Sequence, residues 1–213
     1  QQSVIDFMND FGIDAEPTII EAGARLIAME TFKHVVNPLR QSATGGALVN
    51  SKYHLDAVRI GIGLYGLWPS KELEVQLGDK IDFRPILSWH TAIAEIKSVK
   101  SGSYIGYDLA ERAIRDAKIA ILPIGYWHGF PRALSGAGHA LIAGARARVL
   151  GRVSMDMIAV DVSGIKCKFG DEVILIGKSG RETIRASELA SISGTSHYEI
   201  VTRLNPLIER IAV

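Results

Sequence analysis

The run Ala57-Val58-Arg59-Ile60-Gly61-Ile62-Gly63-Leu64-Tyr65-Gly66, residues 57–66, reads as a buried strand feeding a glycine-rich turn. Toward the N-terminus, residues 37–51 are rich in Ser, Gly and Asn and read as a loop. Before that loop the pattern is helical. Val4, Phe7, Met8 and Phe11 recur at i, i+3, i+4 and i+7, with Ser3 as N-cap and Gly12 just past the end. A second helix starts near Pro17, a residue suited to the first helical position. Its apolar residues are Ile19, Ile20, Ala24, Leu26, Ile27 and Met29, interrupted by Gly23. Helix, loop, strand and a turn of phosphate size, in that order, make the end of an α/β unit.

Toward the C-terminus the pattern changes near residue 70, and after Pro69 the signals are those of strands. Residues 86–99 are β-rich, with alternation clearest in Ala92-Ile93-Ala94-Glu95-Ile96-Lys97. Strands are expected over 118–125, 139–142, 148–152, 157–162 and 171–176, most of them separated by Gly-containing turns. One late helix is expected, with Ser187 as N-cap and Gly194 near its end, and an apolar segment from Tyr198 to Ile211 closes the chain. The second part, about 140 residues, has the size of one domain.

Composition limits what these elements can do. Hydrophobic residues make up 47%, charged residues 22%, and the formal net charge is +1, so no electrostatic footprint for nucleic acid or an anionic membrane exists. Cys167 is the single cysteine, which excludes an internal disulfide and makes a reducing compartment the default. Asp6, Asp10, Asp14 and Glu16 break any apolar leader stretch. No segment approaches the roughly 20 apolar residues that span a bilayer. A soluble, cytoplasmic protein is expected.

Four motifs follow one another: the 56–66 run with Asp56 at its head; Tyr104-Ile105-Gly106-Tyr107; Ile124-Gly125-Tyr126-Trp127-His128-Gly129-Phe130-Pro131-Arg132; and Gly151-Arg152-Val153-Ser154-Met155-Asp156-Met157. With the closing Ser196-His197-Tyr198-Glu199-Ile200, this series closely resembles the second half of bacterial alanine racemases, from about residue 42 to the end. The resemblance implies the C-terminal portion of a (β/α)8, TIM-type barrel over residues 1–70 and an all-β C-terminal domain over 71–213. It implies pyridoxal 5'-phosphate as cofactor, no metal, a head-to-tail homodimer with sites shared between subunits, and interconversion of L- and D-alanine for peptidoglycan.

The resemblance also assigns roles. Gly61 and Ile62 would offer backbone N–H groups to the cofactor phosphate, where an ordinary buried strand with a tight turn is the bland alternative. A hydroxyl from Thr44 or Ser42 would join them. Arg59 would face the pyridine nitrogen; a structural ion pair, for instance to Asp56, is the alternative. Racemisation needs proton exchange on both faces of Cα, and Tyr107 would be one base, with Tyr104 its nearest rival. A free tyrosine titrates near 10, so a basic role requires nearby positive charge or hydrogen bonds. Met155 and Asp156 match a Met-Asp step whose backbone contacts the substrate carboxylate; Ser154 stands where cysteine is common. Tyr126 and Tyr198 match a pair that narrows the entrance, with Tyr198 also reaching phosphate. His128 stands where the motif usually has aspartate.

The family's cofactor-binding lysine, in a Lys-Ala-Asn-Ala-Tyr-Gly context, has no counterpart: Lys33, Lys52, Lys71 and Lys80 lie in other surroundings. The chain is expected to begin inside the barrel, as a fragment, one piece of a split protein or a diverged paralogue. A non-catalytic dimerisation or binding module is one alternative. A related pyridoxal-phosphate decarboxylase is another, although neither Ser154 nor Cys167 supplies the reactive cysteine it would use. After incubation of the 213-residue chain with pyridoxal phosphate and borohydride reduction, mass spectrometry is expected to find no stoichiometrically labelled lysine. Full labelling of one lysine, accompanied by racemase activity, would contradict that expectation.

Overall fold

The computed structural model describes residues 41–54 and 57–212. The two helices expected within the first 30 residues, with the Ser3 cap and Pro17, lie outside these residues, and so does Asp56. Backbone contacts divide the chain into two units, residues 1–87 and 88–213.

In the first unit β1 (Gln41–Ala43) pairs in parallel with β2 (Ala57–Arg59), Ser42 opposite Val58 and Ala43 opposite Arg59. Between them runs α1 (Thr44–Val49). The stretch 37–51 is therefore not simply a loop: from Gln41 to Val49 it is strand and helix. The reason is burial. Thr44, Ala47 and Leu48 fall at i, i+3 and i+4 on one inward face, and tertiary packing of such a face outweighs the poor helix propensity of Gly45 and Gly46. Leu48 and Leu64 form a small core with Ile60, Trp68, Leu77, Ile81 and Phe83, where Trp68 meets Phe83 edge-on with ring centres 4.7 Å apart.

A second helix, α2 (Lys71–Leu77), stands where the sequence pointed to strands. Ser70 caps it, its hydroxyl accepting from the Leu73 amide at 3.3 Å, while Glu72 and Glu74 complement the positive end of the helix dipole. The chain then returns. Gly66 has φ +66°, and a β carbon there would stand 1.8 Å from the Arg84 carbonyl oxygen. Residues after 70 thus pack on the first unit, and the division falls after Leu87 although the sequence pattern changes near residue 70.

The second unit is built on an eight-stranded sheet. Its strands are β3 (Trp89–Ala92), β4 (Glu95–Val99), β7 (Ala117–Leu122), β8 (His139–Ile142), β9 (Ala145–Leu150), β10 (Ile158–Asp161), β11 (Glu172–Ser179) and β12 (Glu182–Ile184). The order is β12-β11-β8-β9-β10-β7-β4, with β3 also on β11, and every pair is antiparallel. A separate hairpin joins β5 (Tyr104–Ile105) to β6 (Glu111–Arg112). Leu122, Leu141, Val149, Val160 and Leu175 are wholly buried, as are Phe130 and Leu134 from the connection between β7 and β8.

Two short helices, α3 (Ala186–Ser193) and α4 (His197–Thr202), complete this mostly antiparallel unit. The N-cap of α3 is Arg185, not Ser187, because burial of Ala186 draws the helix start forward; Gly194 ends it at φ +68° as expected. Arg146 on β9 bonds Glu182, the Thr183 carbonyl and Glu188, tying β9 to β12 and α3. No helix among the described residues is long and apolar enough to cross a membrane.

Leu141 is fully buried on β8, which lies between β11 and β9. Leu141→Ala should cost about 2–5 kcal/mol in urea unfolding. Ile114→Ala, at a residue 91% exposed, should stay within about 0.5 kcal/mol. Equal effects of the two would mean that this core is wrongly placed.

Candidate active site

Because β1 and β2 run in parallel, their C-terminal ends lie side by side. One leads into α1 and the other into a helical turn, Ile62–Tyr65. Thr44, the first residue of α1, is the one buried polar residue among the described residues. Its Oγ1 accepts the Gly61 N–H at 3.1 Å. Gly63 permits that approach, since a β carbon there would stand 2.8 Å from Thr44 Cγ2. Gly61 is exposed, and a β carbon on it would meet nothing within 4 Å.

This contact brings Thr44 to the turn, while the backbone of Ser42 pairs with Val58 in β1. The Gly61 amide donates to the Thr44 hydroxyl in this arrangement. Ile62 and Gly63 open the helical turn, and amides at that position have no acceptor within it. One buried hydroxyl, two such amides and open space beside Gly61 make a donor set suited to an anion. Arg59, the last residue of β2, is exposed and lies opposite Ala43.

In the second unit three motifs meet along one strip of backbone, residues 151–155. At one end Gly151 (φ +65°) passes so near Ile105 that a β carbon would stand 2.5 Å from its carbonyl oxygen. At the other end the Tyr126 and Trp127 amides donate to the carbonyls of Ser154 and Met155, at 3.0 and 2.9 Å. A β carbon on Gly125 would stand 2.3 Å from the Ser154 oxygen. Tyr126 and Met155 are thereby joined through their backbones, while both side chains stay about half exposed.

Tyr107 follows Gly106 (φ +77°) and is 68% exposed. Asp108 and Leu109 next to it take left-handed φ values of +61° and +49°, a conformation that costs non-glycine residues energy and gathers at functional sites. The Asp108 carboxylate lies 3.6 Å from the Arg152 guanidinium. Tyr104 instead lies in β5, with the Arg112 guanidinium 5.8 Å from its ring centre. Asp156 is exposed beside Met155. Tyr198, in the first turn of α4, is exposed, though partial desolvation pushes its phenol above the usual range.

Sequence reading missed three parts of this arrangement. Gly63 as the spacer for Thr44 was inside the quoted run but indistinguishable from its neighbours. Asn205 donates to the Trp127 carbonyl through Nδ2 at 2.9 Å and to the His128 carbonyl through its amide at 3.1 Å; the Asn205-Pro206 step signals only a turn. The His128 ring accepts the Gly125 N–H through Nδ1 at 3.1 Å, a role invisible without the turn geometry.

Residues 86–212 match the family model described as alanine racemase, C-terminal domain. An alanine racemase of Halothermothrix orenii is 41% identical over 175 residues, covering 81% of this chain and 45% of that protein. The crystal structure of alanine racemase from Bacillus anthracis with bound L-Ala-P superposes with a TM-score of 0.74 at 35% identity, covering 88% of this chain and 47% of that one. Alanine racemase from Bartonella henselae with covalently bound pyridoxal phosphate gives a TM-score of 0.72 at 25% identity, over 93% of this chain and 53% of that one. The chain thus spans about half the length of the relatives it matches. With the family model covering more than half of its residues, the chain belongs to the alanine racemase family and carries that family's C-terminal domain.

Proposed function

We propose that this chain serves a pyridoxal-phosphate-dependent racemase that interconverts L- and D-alanine in the cytoplasm, as a source of D-alanine for the cell wall. The observation that carries this reading is the meeting of the Tyr107, Tyr126 and Met155 motifs on residues 151–155. The alanine analogue held by the Bacillus anthracis relative and the cofactor held by the Bartonella henselae relative favour the same chemistry. We further assign residues 1–70 to the closing part of a (β/α)8 barrel, with the parallel β1–β2 pair in support, and residues 71–213 to the C-terminal part, of which 71–87 pack back on the first unit and 88–213 form the C-terminal domain's own body.

Bound pyridoxal phosphate supplies an electron-accepting ring that acidifies the α-proton of an attached amino acid. The Thr44 hydroxyl and the Ile62 amide would hold its phosphate, with the Gly61 turn leaving room for it; the family resemblance adds the Tyr198 phenol as a further donor to that group. Arg59, at the end of β2, would face the ring nitrogen. Its guanidinium does not readily give up a proton, so it would leave that nitrogen unprotonated and temper the electron demand the cofactor supplies. Tyr107 moves that proton on one face through its phenolic oxygen. The Met155 amide, with Asp156 beside it, orients the substrate carboxylate, and Tyr126 narrows the entrance to suit a side chain as small as methyl. In a head-to-tail homodimer, the first unit of one subunit and the second unit of the other would complete each site.

In the full-length protein, Tyr107→Phe should lower racemisation by about 10²–10⁴-fold, as for loss of an essential acid–base group. Cofactor absorption should be unchanged. Activity near the parent level would remove Tyr107 from this role and direct attention to Tyr104.

The choice between the two hydroxyls has its own test, a fluorescence titration with pyridoxal phosphate. Thr44→Val should weaken cofactor binding by about tenfold or more, the usual cost of losing a hydrogen bond to a charged group. Ser42→Ala should change it little. The opposite order would assign the phosphate contact to Ser42.

A further inference from the structure

We infer that His128 is a positioning residue for the substrate entrance: its ring nitrogen fixes the turn that presents Tyr126 beside Met155. This rests on the reading of Tyr126 and Met155 as substrate-facing residues. The Gly125 amide heads the helical turn Tyr126–His128, and an amide in that place has no acceptor within the turn backbone. His128 Nδ1 supplies one at 3.1 Å, while the His128 amide donates back to the Gly125 carbonyl at 3.0 Å. This reciprocal closure has the logic of a capping box. The two residues it encloses, Tyr126 and Trp127, turn their amides outward to Ser154 and Met155.

The turn has little freedom to move. The space behind Gly125 is closed, with the Ser154 and Met155 carbonyl oxygens 2.3 and 2.5 Å from where a β carbon would stand. Trp127 meets the imidazole edge-on, 4.9 Å between ring centres and 86° between planes, which fixes the plane of the ring. Asn205 holds the carbonyls of Trp127 and His128. The Tyr126 side chain is half exposed, so the backbone of this turn sets its position more than packing does. Removal of the Nδ1 acceptor releases one side of the turn and with it the register between Tyr126 and Met155.

Two variants of the full-length, cofactor-loaded protein separate positioning from bulk stability. His128→Leu keeps an apolar side chain against Trp127 and removes the acceptor. His128→Asn puts an acceptor oxygen the same number of bonds from the backbone as Nδ1. For His128→Leu the KM for alanine should rise about tenfold with kcat within about twofold, the mark of lost binding rather than lost chemistry. Amide hydrogen exchange should quicken over 125–127 and 154–155, with the β7–β10 ladder unchanged, and His128→Asn should restore both. The inference is overturned if the two variants behave alike, if exchange quickens evenly through the sheet, or if KM stays at the parent value. If the parent protein turns over no alanine, the racemase reading fails. Exchange at 125–127 and 154–155 then decides by itself whether His128 holds the turn.

Discussion

At Gly125 the main chain runs against the carbonyls of Ser154 and Met155 with no room for a side chain, and the Tyr126 and Trp127 amides bond those same carbonyls. The candidate site in the second unit depends on this backbone-to-backbone contact. Tyr107, Tyr126 and Met155 are all at least half exposed, so packing against a core cannot aim them. Their positions come from the main chain beneath. The Gly151–Ile105 contact does for the Tyr107 loop what the Gly125 contact does for Tyr126. Residues 151–155, anchored by the buried strands β9 and β10 on either side, are the common reference for both.

The first unit uses the same device on a smaller scale. Gly63 allows the buried Thr44 to reach the turn after β2, and the Thr44 hydroxyl then takes up the Gly61 amide. In each case a glycine lets one stretch of main chain come close enough to another to fix a functional side chain. The exposed Tyr104, Leu109, Trp127 and Met157 beside these motifs suit a surface that a second subunit would cover in the proposed dimer.

How far the sequence could be read depended on the physical signal each element leaves. The β8 strand His139–Ile142 was legible to the residue, because Gly138 and the Ala143-Gly144 turn bracket a short apolar run. α2 was not legible: Leu73, Val75 and Leu77 alternate like a strand, and only the Ser70 cap distinguishes the helix. α1 was hidden by Gly45 and Gly46, whose poor propensity is outweighed by packing that a sequence does not display. At the site, the family resemblance of the motifs pointed to Tyr107, Tyr126 and Met155. Whether Thr44 or Ser42 meets the Gly61 turn depends on the register of β1 against β2, and the capping role of His128 depends on backbone direction. Neither is written in residue type.

Solvent-isotope exchange tests the central claim most directly. L-alanine is incubated in D₂O with the full-length, cofactor-loaded protein, and the enantiomers are separated and weighed by mass spectrometry. The account predicts D-alanine carrying deuterium at Cα, with the two enantiomers approaching equal amounts, because a proton lost from one face is replaced on the other. Deuterium entering L-alanine alone, release of carbon dioxide, or recovery of unchanged L-alanine would contradict it.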